Sequence, residues 1–344
     1  MVTSNRLKWL DMVKGICVFS VLLAHCGIEH NYLQLVYTPF FLVLFFFISG
    51  YLFKEKGVKI SLRKLSHSLV IPYFLLCTFI ILIGIDNWQA IINGNYSLIL
   101  NRFKRVLLGY DLWFISCIIM VQLYYIFLSH LYMKSIRSKV ITASIFLLSV
   151  YIIENDNSHT LPYYCDIALF ALPFFIAGNV VKELLPNEWH PLQNKKWISI
   201  VLIIIYLVIS LTMQHIFDME FHFAYNYYKS PILFIILACI GIIIISLFSQ
   251  SYQWHFIEKL GQNSLIIFAF NGKAHAITTL VLNSLGISKI IGFNSYLHAI
   301  AFCILQSFVL FAIAYTINNY VPFLIGKNNK KKYDENIITK PTYL

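Results

Sequence analysis

The sequence predicts an all-α integral membrane protein of about ten transmembrane helices with both termini in the cytoplasm, and three observations predict it. Hydrophobic residues make up 59% of the 344 positions and charged residues only 12%, against roughly 25% charged in ordinary soluble domains. The apolar runs are continuous rather than alternating with period two, which selects helices over a barrel, since each helix satisfies its own backbone in lipid. The basic residues fall between the runs and mostly on one side. With the N-terminus inside and sides alternating, about 19 of the 26 Lys and Arg are cytoplasmic and about 5 are not. The net charge of +11 is therefore a topology signal, and nucleic acid is not an expected partner.

A span needs about 20 mostly apolar residues. The candidate stretches lie near 11–28, 36–53, 67–85, 112–130, 138–153, 164–181, 196–215, 229–249, 262–284 and 295–318. The first contains Lys14 and has no small-residue cleavage pattern at its end, so it reads as a retained span and not a signal peptide. The main polar stretches are Lys54–Ser66, Asp86–Asp111, Lys182–Lys196 and the tail from Lys327. Residues 1–326 form one polytopic domain, and 327–344, with Lys330, Lys331 and Lys332, read as a disordered basic cytoplasmic tail. No internal repeat of the kind that builds many transporters is evident.

In the stretch Asp86–Asp111, Asn93-Gly94-Asn95 is a turn signal. After it, apolar residues alternate with Arg102, Lys104 and Arg105 in the manner of an interfacial helix. These three are the basic residues that the topology leaves outside. They serve either as headgroup contacts or as a cationic wall over an outward-facing pocket. Cys17, Cys26, Cys77, Cys117, Cys239 and Cys303 sit in apolar segments without paired spacing, so packing is expected rather than a disulfide framework, and no metal site is expected.

Asp11, Lys14 and His25 are the costly residues of the first span, since an ionisable group there costs at least about 2.5–3.5 kcal/mol on insertion scales and tends to face a cavity or partner. Eleven residues separate Lys14 from His25, which at about 100° per residue puts them roughly 20° apart around the helix and about 16 Å apart along it. Asp11, three residues before Lys14, shares that face and is close enough to pair with it. A lysine at the cytoplasmic mouth attracts phosphates, and a neutral imidazole farther along takes a proton from a hydroxyl as general base. A plainer reading has Lys14 reaching to the interface and His25 packing through hydrogen bonds; spacing alone does not decide between them.

Four stretches add a resemblance. Arg6–Gly15 (RLKWLDMVKG) followed by His25, then Phe45–Phe53 (FFFISGYLF), Leu112–Ile115 (LWFI) and Leu260–Ile267 (LGQNSLII) resemble, in this order, the acyltransferase type 3 family. The likeness is to its shorter members, which lack a fused extracytoplasmic domain. The resemblance implies transfer of an acyl group, most often acetyl, from cytoplasmic acetyl-CoA or another acyl-CoA to a sugar hydroxyl of a cell-surface polysaccharide or its lipid-linked precursor, in a bacterial cytoplasmic membrane. It maps the family's catalytic histidine onto His25 and the basic residue of its first-helix motif onto Lys14, where Arg is commoner. The family's arginine pair ahead of a proline corresponds to Arg63 and Lys64 before Pro72, which gives three donor-binding candidates.

The same resemblance makes Asp11 and Trp113 supporting candidates, with Asn271 standing where many members have a His and His275 one turn on, and Arg102 and Arg105 join them as the cationic wall of the outer loop. Asn271 and His275 share a helix face, where they either orient a sugar or bridge two helices. Trp113 is otherwise an aromatic-belt residue, and Ser49-Gly50 reads as a close helix contact. Two other functions are weighed. A secondary transporter or flippase for a lipid-linked sugar commonly needs a membrane-embedded acid, whereas the acids here lie nearly all outside the spans. A purely structural subunit leaves the alignment of Asp11, Lys14 and His25 without a reason. The sequence does not address oligomeric state.

Overall fold

The structure, a computed structural model, describes residues 7–26, 34–148, 161–185, 196–217, 221–225, 227–287 and 295–327. The basic tail expected from Lys327 lies outside these residues beyond its first position.

Fourteen helices are described. They are α1 (Lys8–Ala24), α2 (Gln34–Leu52), α3 (Val58–Leu65), α4 (Ile71–Leu82), α5 (Ile85–Ile92), α6 (Tyr96–Leu107), α7 (Trp113–Leu131), α8 (Ile136–Leu147), α9 (Cys165–Leu184), α10 (Lys196–Phe217), α11 (Pro231–Ser251), α12 (His255–Gln262), α13 (Ser264–Ser284) and α14 (Tyr296–Tyr320). Short 3₁₀ turns, Pro162–Tyr164 before α9 and Pro322–Ile325 after α14, extend two of them, and a two-stranded ribbon pairs Phe221–His222 with Tyr227–Tyr228 ahead of α11. Among the described residues seven helices are long and apolar enough to cross a membrane, counting α3 to α4 as one rod over Val58–Leu82. The chain is an all-helical integral membrane protein. Three predicted spans fall on shorter described helices: α1, the apolar Val36–Leu52 of α2, and α8, whose remainder from residue 149 lies outside the described residues.

Two boundaries differ from the sequence reading. Lys54–Ser66 reads as a polar stretch before a span at 67–85, yet the helix starts at Val58, because Leu62 and Leu65 recur at helical spacing among Lys59, Arg63 and Lys64. The rod widens to a π turn at Ser66–Val70 just before Pro72. Proline has no N–H to give the preceding turn and its ring crowds that turn, and one extra residue relieves both. The span predicted at 262–284 begins two residues later, as α13 from Ser264, because a break at Asn263 separates it from α12.

The stretch Asp86–Asp111 folds as predicted around the turn at Gly94, where φ is +71° and glycine is at home, with α6 carrying Arg102, Lys104 and Arg105 on an exposed face. Asn87 Nδ2 donates to Ile81 O and Trp88 Nε1 to Leu82 O, each at 2.7 Å. These bonds satisfy carbonyls that the end of α4 leaves open.

The helix at the centre is α1, which touches α2, α11, α12, α13 and α14. Glycines allow the tightest approaches. A Cβ on Gly50 of α2 would fall 1.9 Å from the Phe175 carbonyl oxygen of α9, so Ser49-Gly50 is the close contact the sequence predicts. By contrast α10 is only 12% buried over its apolar window, and the exposed Ile200, Val201, Ile204, Ile205 and Val208 face outward.

Candidate active site

Three cavities adjoin in a row, the second and third of them against one side of α1. The first, about 420 Å³, is a mouth lined by Lys54 and Lys56 of the α2–α3 loop and by Arg63, Lys64, His67 and Ser68 of the following rod. The second, about 350 Å³, is lined by Lys14, Ser49, Phe53, Lys64, Ser68, Gln122 and Ser264 among apolar residues. Phe53, Lys64 and Ser68 belong to both walls. The third, about 330 Å³, is lined by His25, Leu112, Trp113, Asn271 and Gly272 together with Val21, Phe41 and Phe268. It meets the second at Phe114, Ile115 and Phe268, which line both.

The predicted Lys14–His25 face is thus the face that the second and third cavities follow, with Lys14 in one chamber and His25 in the next. The partition between the chambers is aromatic. Phe114 and Phe268 rings lie 4.8 Å apart by centroid, and Phe45 is 5.4 Å from the former and 5.1 Å from the latter.

His25 is the residue just past the last turn of α1, at the helix end, and it is exposed and lines the third chamber. Its Nδ1 lies 2.8 Å from Val21 O. A carbonyl only accepts, so Nδ1 carries the hydrogen of that contact, and in the neutral ring the lone pair is then on Nε2. The imidazole is held by one turn of its own helix.

Asn271, 7% exposed, accepts from Gln306 Nε2 through Oδ1 at 2.8 Å and through its backbone oxygen at 3.1 Å. The helix-bridging reading of this residue holds, because its side chain joins α13 to α14, and the residue also lines the His25 chamber. His275, one turn on, packs against Phe302 with centroids 4.8 Å apart. Trp113 lies 5.6 Å from Tyr164 and 5.7 Å from Phe114. The backbone beside it is strained: Leu112, Tyr163 and Tyr164 have φ of 46°, 57° and 54°, a region bulky residues rarely enter and one that clusters at functional sites.

Arg102 and Arg105 stand on α6 rather than in the chamber wall, with Arg105 Nε 3.1 Å from Asp111 Oδ1. Asp11 is 3% exposed, and its Oδ2 accepts from Gln262 Nε2 at 3.4 Å. A Cβ on Gly261 would fall 1.8 Å from Asp11 O, and one on Gly15 1.9 Å from Ile257 O. Two of the sequence stretches quoted for the resemblance are thus one seam, with α12 pressed on the start of α1 and Ser264 delivered to the Lys14 chamber.

Sequence reading missed a buried cluster. Lys139 of α8 is 2% exposed and donates to Glu55 at 2.7 Å, to Asn179 Oδ1 at 2.8 Å and to the Glu183 carboxylate. The Tyr125 hydroxyl donates to the Glu55 carboxylate and lies 2.6 Å from Asn179 Oδ1. The signal was present as Asn179 and Glu183 at i and i+4, but Lys139 sits at the edge of an apolar stretch and its partners are 40 to 84 residues away. Cys26 and Cys303, 277 residues apart, meet as free thiols with sulfurs 3.4 Å apart.

No curated protein and no solved structure matches the chain. One family model does, described as an acyltransferase domain, and it covers residues 7–318. That span includes every wall residue named above except Gly326, which lines the mouth beside His67. The chain belongs to the acyltransferase type 3 family and is a membrane acyltransferase.

Proposed function

We propose that this acyltransferase takes an acyl group, acetyl in the first place, from acyl-CoA on the cytoplasmic side and passes it to a sugar hydroxyl of a surface polysaccharide or lipid-linked precursor. The observation that carries the reading is the row of cavities, cationic at one end and ending on His25 at the other. CoA carries several phosphates, and Lys54, Lys56, Arg63 and Lys64 match them in sign and number. A pair of unit charges about 4 Å apart is worth roughly 1 kcal/mol in water and about 4 at the dielectric of a protein surface. Lys14 and Lys64 continue the positive lining inward, where apolar residues interspersed with Ser49, Ser68, Gln122 and Ser264 suit the uncharged, amide-bearing arm of the donor. The positive-inside bias supports a cytoplasmic side for this end, in a topology of ten spans with both termini inside.

At the far end His25 Nε2 removes the proton of the sugar hydroxyl. The hydroxyl oxygen then bonds to the acyl carbonyl carbon as the carbon–sulfur bond breaks, and CoA leaves as the thiol on taking a proton. Asn271 supplies a polar contact and Trp113 a flat apolar face for the sugar ring, while Arg102 and Arg105 meet lipid headgroups. The test is mass spectrometry of surface polysaccharide from cells with and without this protein. Loss of one acetyl mass per modified residue is expected. An unchanged polysaccharide, together with no binding of acetyl-CoA by the purified protein, would leave a transporter as the better reading.

A further inference from the structure

The mouth has four cations, and between two of them sits an acid that does not face the ligand. The α2–α3 loop runs Phe53, Lys54, Glu55, Lys56, Gly57. The wall takes Phe53, Lys54 and Lys56 from it but not Glu55. The Glu55 carboxylate instead turns to Lys139 at 2.7 Å and to the Tyr125 hydroxyl. Tyr125 also packs edge-on against Phe53, centroids 5.2 Å apart. Gly57 is the residue from which α3 starts, and α3 carries Arg63 and Lys64, so what fixes this loop also fixes the other half of the mouth.

We propose that Lys139 is a positioning residue for the donor site, and that its task is to hold the Glu55 carboxylate away from the anionic donor. This rests on the reading of the mouth as the acyl-CoA phosphate site. Released from Lys139, the carboxylate lies between Lys54 and Lys56 at the edge of a mouth that also holds Arg63 and Lys64. Each such pairing would remove positive charge from the ligand and add a negative one beside it. Lys139 is well placed for the task because its ammonium spends its three hydrogens on Glu55, Asn179 and Glu183. It is buried, whereas the Glu55 and Glu183 side chains are 43% and 36% exposed. Replacing the lysine therefore leaves its two acids able to hydrate, and the fold is expected to survive.

The experiment uses the full chain in lipid nanodiscs, with acetyl-CoA as the probe for binding and for steady-state transfer. For Lys139→Met the expected result is an apparent KM for acetyl-CoA raised by about tenfold with kcat within about threefold, the pattern of lost ground-state binding. Adding Glu55→Gln removes the competing charge, and the double variant is expected to return to within about threefold of the wild-type KM. A merely structural Lys139 gives no such rescue. Tyr125→Phe frees the same carboxylate more gently and decides the matter should Lys139→Met not fold; its smaller rise in KM must also be reversed by Glu55→Gln. An unchanged KM in both single variants, a loss confined to kcat, or a failure of Glu55→Gln to restore binding overturns the assignment. Wild-type protein that binds no acetyl-CoA removes the donor-site reading itself, and that outcome is seen before any variant is compared.

Discussion

The two ends of the cavity row are built from different materials. At the Lys14 end the walls and their supports are charged: Lys54, Lys56, Arg63 and Lys64 face inward, and Lys139, Glu55 and Glu183 lock the loop behind them. At the His25 end the lining is neutral and aromatic, with Trp113, Phe41, Phe114 and Phe268 around one imidazole and one amide, and the adjoining backbone is strained at Leu112, Tyr163 and Tyr164. Charge suits a ligand that arrives from water bearing phosphates, because attraction over about 8–10 Å gathers it. Shape and directed hydrogen bonds suit an uncharged sugar, for which long-range attraction is of no use. The aromatic rings of Phe45, Phe114 and Phe268 stand between the two ends.

The comparison breaks most sharply at His25. His25→Ala is expected to lower transfer by at least about 10²-fold, since a general base contributes about 10²–10⁴-fold, while acetyl-CoA binding at the other end stays within about twofold. Steady-state rates and donor binding on the same preparation check this. Next in size is the charged end. Neutralising Lys14, Arg63 and Lys64 together is expected to raise the acetyl-CoA KM by about 10²-fold at low salt and less at high salt, because exposed charges are screened. A KM that does not move would remove the phosphate assignment.

The partition gives an intermediate effect. In a tight apolar site one extra methylene changes rates by about 10–200-fold. Phe268→Ala, which opens the wall between the chambers, is expected to narrow the preference for acetyl-CoA over butyryl-CoA by about tenfold, read from competing donors in one reaction. Smallest is Trp113→Ala, expected to raise the acceptor KM by about three- to tenfold through loss of one aromatic face and to leave the donor KM as it was. A donor KM that rises equally would mean that the two ends are not independent.

How much of this was legible in the sequence differs with the range of the interaction. The apolar runs and the Gly94 turn are local, and the helices sit where those runs put them. The Lys14–His25 face follows from helical period alone, which is why one cavity row serves both residues. The start of α3 at Val58 was hidden because its polar face reads as a loop until its leucines are counted at helical spacing. His25 lies at a helix end and is exposed, so helical spacing rather than burial is the local pattern that sets it on the Lys14 side of α1. The Lys139 cluster is the opposite case. Its members come from four elements, and no local pattern announces that a lysine beside an apolar stretch is matched by acids on α9 and in the α2–α3 loop.

The central claim is that one face of α1 joins a donor-binding end to a chemical end, and the most direct test measures both ends in the same samples. Wild type, His25→Ala and the Lys14, Arg63 and Lys64 triple neutralisation are each purified in nanodiscs and assayed for binding of radiolabelled acetyl-CoA and for transfer of the label to sugar acceptor. A crossed result is predicted. His25→Ala binds donor like wild type and transfers at less than about a hundredth of its rate, whereas the triple variant binds about 10²-fold more weakly and recovers much of its transfer rate at saturating donor. A His25→Ala protein that still transfers at more than about a tenth of the wild-type rate, or a triple variant with unchanged donor binding, would contradict the account.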